Sequence, residues 1–90
     1  MRQDIQERVI EIIVQTFGVP AKLIEMDKRF ENRDVNIDEL SLACEEEFGI
    51  ILPYEDTFEI QTPRQLIEKV EEKVSENEED IGDNVKLSEN

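Results

Sequence analysis

Apolar residues recur along this chain at helical spacing in three separate stretches. Over residues 3–17, Ile5, Val9, Ile12, Ile13 and Phe17 fall on one side of a helix, with Gln, Arg and Glu on the other. Gly18, Val19 and Pro20 end the pattern, since glycine closes a helix and proline cannot continue one. Residues 21–35 show no sustained period and read as a long connection, with Leu23, Ile24, Met26 and Phe30 expected to plug it onto the core. A second helix is expected from near Asp34 or Asn36 to Phe48, where Ile37, Leu40, Cys44 and Phe48 share a face and Gly49 stops it. Ile50–Pro53 is too short to assign, and Tyr54–Ile60 has room for one or two helical turns.

The last helix has the clearest start. Thr62 is a capping residue, Pro63 suits the first helical position, and Gln65 stands three residues after the cap. Leu66, Ile67, Val70 and Val74 then supply its buried stripe. From Ser75 the sequence turns acidic and poor in apolar residues, so residues 1–74 are expected to be the folded domain and 75–90 a disordered acidic tail. The reading is an all-α fold, a small bundle of three long helices and one short one.

Composition narrows what such a domain can do. Ninety residues allow one domain and no deep cleft between domains. Twenty-four acids against ten bases give a formal charge of −14, which repels nucleic acid and anionic membranes and favours proteins with basic patches. The chain has no histidine, and so lacks the commonest general base and metal ligand. Its single cysteine, Cys44, excludes an internal disulfide and sits on an apolar stripe, where it reads as a small core residue. No apolar run is long enough to span a bilayer, and Met1-Arg2-Gln3-Asp4 does not read as a signal peptide. A reduced, cytoplasmic setting and a monomer are expected.

Two further patterns carry less. Asp34-x-Asn36-x-Asp38, with Glu45 in twelfth place, mimics a calcium loop, but Glu39 stands where that loop needs glycine, so no metal site is expected beyond weak divalent binding by the crowded carboxylates. Tyr54 and the phenylalanines read as core or groove lining.

Several segments together resemble the acyl carrier protein family. Glu7-Arg8-Val9 through Ile12-Ile13, then Phe17-Gly18-Val19, is similar to the family's first helix and its exit. Phe30 resembles the loop phenylalanine, and Glu39-Leu40, Ala43 and Glu45-Glu46-Glu47-Phe48-Gly49-Ile50 resemble the second helix and its end. Leu52-Pro53, Ile60 and Thr62 are similar to the third-helix region and the start of the fourth. The resemblance covers roughly residues 5–74 and implies a four-helix acyl-carrier fold, no enzymatic activity, and a place in fatty acid, polyketide or peptide synthesis.

The family's signature is Asp-Ser-Leu at the start of the second helix, whose serine carries 4′-phosphopantetheine. Counting back from Glu45-Glu46-Glu47-Phe48 puts Arg33, Asp34 and Val35 at those three positions. Counting forward from Phe30 lands on Asp38 or Glu39, because the loop is shorter here. A third register equates Asp38-Glu39-Leu40 with the motif. Each places a carboxylate where the hydroxyl belongs, and the first is preferred because loops absorb deletions better than packed helices do. Asp34 is thus the inferred position of the missing serine, and Ser41 is the alternative hydroxyl. The resemblance also implies that Asp38, Glu39, Glu45 and Glu46 form a docking face for basic patches on acyl-processing enzymes. The expected function is a binding module that is not conventionally loaded. The alternatives are a working carrier with a variant attachment site, for which alone 4′-phosphopantetheine is expected, and a structural or regulatory subunit without acyl chemistry. An apolar interior also leaves room for a non-covalent acyl chain.

Overall fold

The computed structural model describes the backbone of residues 2–89 and the side chains of residues 4–77. Its elements are α1 (Arg2–Phe17), a single 3-10 turn (Ala21–Leu23), α2 (Arg33–Phe48), α3 (Tyr54–Thr57) and α4 (Pro63–Glu89). Three long helices and one short one form the expected all-α bundle of the acyl-carrier type, in which α1 packs against both α2 and α4.

The apolar stripes meet as their spacing requires. Val9, Ile12 and Ile13 of α1, Ile37, Leu40 and Cys44 of α2, and Leu66, Ile67 and Val70 of α4 form one buried core. Ile50, Leu52 and Ile60 close it from the segment around α3. The helices stop where glycine takes a left-handed conformation: Gly18 at φ 69° after α1, and Gly49 at φ 65° after α2. Each returns its N–H to the carbonyl four residues back, Val14 for Gly18 (2.8 Å) and Glu45 for Gly49 (2.9 Å). Open space surrounds both glycines, so the positive φ rather than crowding favours glycine there.

The long connection docks through Ile24, Met26 and Phe30, and the Phe30 ring stacks on Phe17 at 5.4 Å. Leu23, expected beside them, is exposed instead, because the 3-10 turn directs it outward. The connection is tied to the start of α4 by backbone: the Phe30 N–H donates to the Gln61 carbonyl and the Arg64 N–H to the Met26 carbonyl, both at 2.9 Å. Arg64 also reaches Asp27 at 2.7 Å, and this contact lowers the Asp27 carboxyl from its ordinary value.

Short α3 relies on neighbours. Lys69 and Lys73, one turn apart on α4, pair with Glu59 (2.9 Å) and Asp56 (3.0 Å), and hydrogen bonds to those carboxylates raise both ammonium pKa values. Of the two places expected for Tyr54 and Phe58, core or groove lining, the core is excluded, since both stand exposed. Beyond Val74, α4 continues through Ser75 and Glu76 to Asn77, whose side-chain amide donates to the Gly49 carbonyl at 3.0 Å. The side chains of the rest of the expected tail, 78–90, lie outside the described residues.

Candidate functional site

The site begins at the N-terminus of α2. Asn32 precedes the helix in a left-handed conformation (φ 51°) and makes no side-chain cap; its carbonyl accepts from the Val35 and Asn36 N–H groups. What fixes this helix start is Arg33. Its Nε donates to the Ile60 carbonyl at 2.8 Å, and its guanidinium also donates to the Thr57 carbonyl, so the first residue of α2 is pinned to the end of α3. The side chain is only 15% exposed.

Asp34, the next residue, is 96% exposed and touches Arg33 at 3.2 Å. A side chain there stands in solvent at a helix start, open to another protein, but it offers a carboxylate and no hydroxyl. A phosphoryl group joined to a carboxylate would be a labile mixed anhydride, not the stable phosphodiester that a serine forms. Ser41 does carry a hydroxyl, yet it is 7% exposed, faces the interior beside Leu40 and Cys44, and its Oγ has no hydrogen-bond partner among the described residues. The side chains around the start of α2 therefore do not fit conventional attachment of phosphopantetheine.

The acidic residues divide by role. Asp38, Glu39 and Glu46 are exposed and make no ion pair among the described residues. Glu45 is half-buried, and its Oε2 accepts the Leu52 N–H at 2.7 Å, which ties the chain after Gly49 back onto α2. Glu47 pairs with Arg8 of α1 at 2.8 Å. The calcium-loop spacing lies wholly inside α2, where Asn36 points away from the side shared by Asp34 and Asp38, so the three do not surround a common centre. Among the described residues no group of three or more acidic or cysteine side chains is placed to hold a metal ion.

Cys44 is fully buried, and burial, followed by the charges of Glu45 and Glu47, pushes its thiol up from 9.0 to about 12. It is a packing residue without nucleophilic character. A cleft of about 170 Å³ opens elsewhere, between the end of α1, the long connection and Pro63, lined by apolar Phe17, Ile24 and Phe30 and by charged Glu25, Lys28 and Glu31. Two features were missed in the sequence: the long-range hold of Arg33, which has no local signal, and the exposed Tyr54–Phe58 pair. The latter's signal was two aromatics four residues apart in an otherwise acidic stretch.

Fold and surface define a small, all-helical, acidic domain of the carrier class. No protein-family model matches the chain. It is 36% identical over 75 residues to acyl carrier protein 2 of Pseudomonas aeruginosa, covering 79% of this chain and 95% of that protein. It is likewise 36% identical over 76 residues to the acyl carrier protein of Solidesulfovibrio magneticus, covering 80% of this chain and 97% of that one. The chain belongs to the acyl carrier protein family, and it is a carrier-type protein rather than an enzyme. No helix among the described residues is long and apolar enough to cross a membrane.

Proposed function

We propose that this chain is an acyl-carrier-like docking module for cytoplasmic enzymes of acyl, polyketide or peptide synthesis, and that it works without conventional phosphopantetheine loading. The observation that carries this reading is the separation of surface and chemistry at α2. The inferred attachment position is open to solvent but holds Asp34, and the alternative hydroxyl, Ser41, is buried. Meanwhile Asp38, Glu39 and Glu46 are exposed and unpaired among the described residues, which leaves them available to a basic patch. Complementary charge of this kind speeds encounter and fixes register more than it adds affinity. The net charge of −14 opposes self-association and favours a monomer.

A non-covalent apolar guest has room in the cleft beside Phe17 and Phe30. At about 170 Å³, open to solvent and bordered by charged side chains, it has room for a short apolar group rather than a long chain.

Competition tests the docking reading. Added in excess to a purified acyl-transfer enzyme and its loaded carrier, the protein should slow acyl transfer, and added salt should relieve the inhibition. Glu39→Lys and Glu46→Lys should each inhibit less while helicity is unchanged. Absence of competition at low salt would contradict docking through this face.

A further inference from the structure

Tyr54 is 70% exposed and Phe58 56% exposed, on a segment whose backbone and flanking side chains are tied to α2 and α4. Their rings meet edge to face at 4.9 Å and 74°. Buried Thr57 between them donates its hydroxyl to the Tyr54 carbonyl at 2.6 Å, and Arg33 binds the Thr57 carbonyl from α2. Lys73 and Lys69 clamp Asp56 and Glu59 from α4. Ile51, also exposed, precedes Leu52, whose N–H is bound by Glu45. The segment thus runs back alongside α2, from Glu45 at one end to Arg33 at the other.

A pair of exposed aromatics in mutual contact is costly for a small domain that needs apolar area inside. Tyrosine and phenylalanine kept at the surface in a fixed geometry are the usual anchors of protein interfaces, because little side-chain freedom remains to be lost on binding. Their surroundings specify the partner. Glu55 is exposed between the two rings in sequence, and the carboxylates Asp38, Glu39 and Glu46 lie on the helix alongside. A second copy of the chain would bring a charge of −14 against −14. We propose that Ile51, Tyr54 and Phe58 form an apolar anchor for a partner segment whose apolar face is bordered by lysine or arginine. This deepens the docking reading given above and rests on it: the acidic helix steers, and the aromatic pair holds.

The test uses the full chain and two synthetic peptides of equal positive charge, an amphipathic Leu/Lys helix and a Ser/Lys control, neither containing an aromatic residue. Tyr54 is the single tyrosine and the chain has no tryptophan, so intrinsic emission reports this patch alone. The Leu/Lys peptide should change Tyr54 emission saturably and bind at least ~10-fold more tightly than the control. Phe58→Ser, and separately Ile51→Ser, should weaken it by a similar factor with unchanged far-ultraviolet circular dichroism. Equal binding of both peptides, or full binding by both variants, overturns the anchor while leaving acidic docking intact. Binding that needs Phe58 but ignores salt, Glu39→Lys and Glu46→Lys keeps the anchor and removes acidic docking. A dimer in sedimentation that Phe58→Ser abolishes assigns the patch to a second copy and overturns the basic partner.

Discussion

The two long helices that flank α3 begin in opposite ways. Helix α4 closes its own N-terminus with adjacent residues. Thr62 Oγ1 accepts the Gln65 N–H at 3.2 Å, Gln65 Oε1 reaches back to the Gln61 N–H at 2.8 Å, and Pro63 has no N–H to satisfy. Helix α2 has no such cap. It starts after a left-handed Asn32 and is held by Arg33, which reaches carbonyls 24 and 27 residues further along the chain. The helix start where the family carries its attachment serine is therefore the one fixed by tertiary contact. Asp34 stands beside the residue that makes this contact but is itself exposed, so position 33 is structural and position 34 is not.

The largest effect on this contrast should come from Arg33→Ala. It removes two charge-assisted hydrogen bonds to partly buried carbonyls and should cost about 2–4 kcal/mol in denaturant unfolding. Amide exchange should rise first in the opening turn of α2 and in α3, while α4 keeps its protection. Uniform loss of protection along α2 and α4 would mean that the two starts are not independently held.

The middle of α2, unlike its start, is fixed by burial, and alkaline titration tests that. The folded Cys44 thiol keeps its proton to about pH 12, whereas the unfolded one releases it near its ordinary 9.0. The unfolded chain then binds fewer protons, so the stabilisation is complete below pH 9 and falls as pH rises from there toward 12. The slope should be about 1.4 kcal/mol per pH unit steeper in wild type than in Cys44→Ala. Equal slopes from urea melts across that window would show a solvated thiol.

The smallest effect belongs to the self-contained cap. Thr62→Ala should cost about 1 kcal/mol and loosen only the first turn of α4. Thermal melts comparing it with Arg33→Ala would reverse the picture if the cap proved the costlier loss.

Sequence alone was a good guide wherever neighbouring residues decide the structure. Thr62-Pro63-Arg64-Gln65 announces α4, the stripe Ile37, Leu40, Cys44 is buried as its spacing requires, and Gly18 and Gly49 end their helices in the left-handed conformation. It fell short where distant residues decide. The start of α2 depends on Thr57 and Ile60, which no local pattern couples to Arg33. Glu45 resembles its acidic neighbours in sequence, yet its carboxylate holds the Leu52 N–H while Asp38, Glu39 and Glu46 make no ion pair among the described residues. Tyr54 and Phe58 carried the composition of a core and stand in solvent, because the short α3 covers the bundle with Thr57 instead.

The central claim, a carrier fold without conventional loading, meets its most direct test in the intact mass of the chain after co-expression with a broad-specificity phosphopantetheinyl transferase. The wild-type chain should keep its unmodified mass, since Asp34 has no hydroxyl and Ser41 is buried. Asp34→Ser should be modified at most in part, because Arg33 remains bound to the α3 carbonyls in place of the family's aspartate. A phosphopantetheine adduct on the wild-type chain, mapped by fragmentation to Ser41 or any other residue, would contradict the account and make this protein a working carrier.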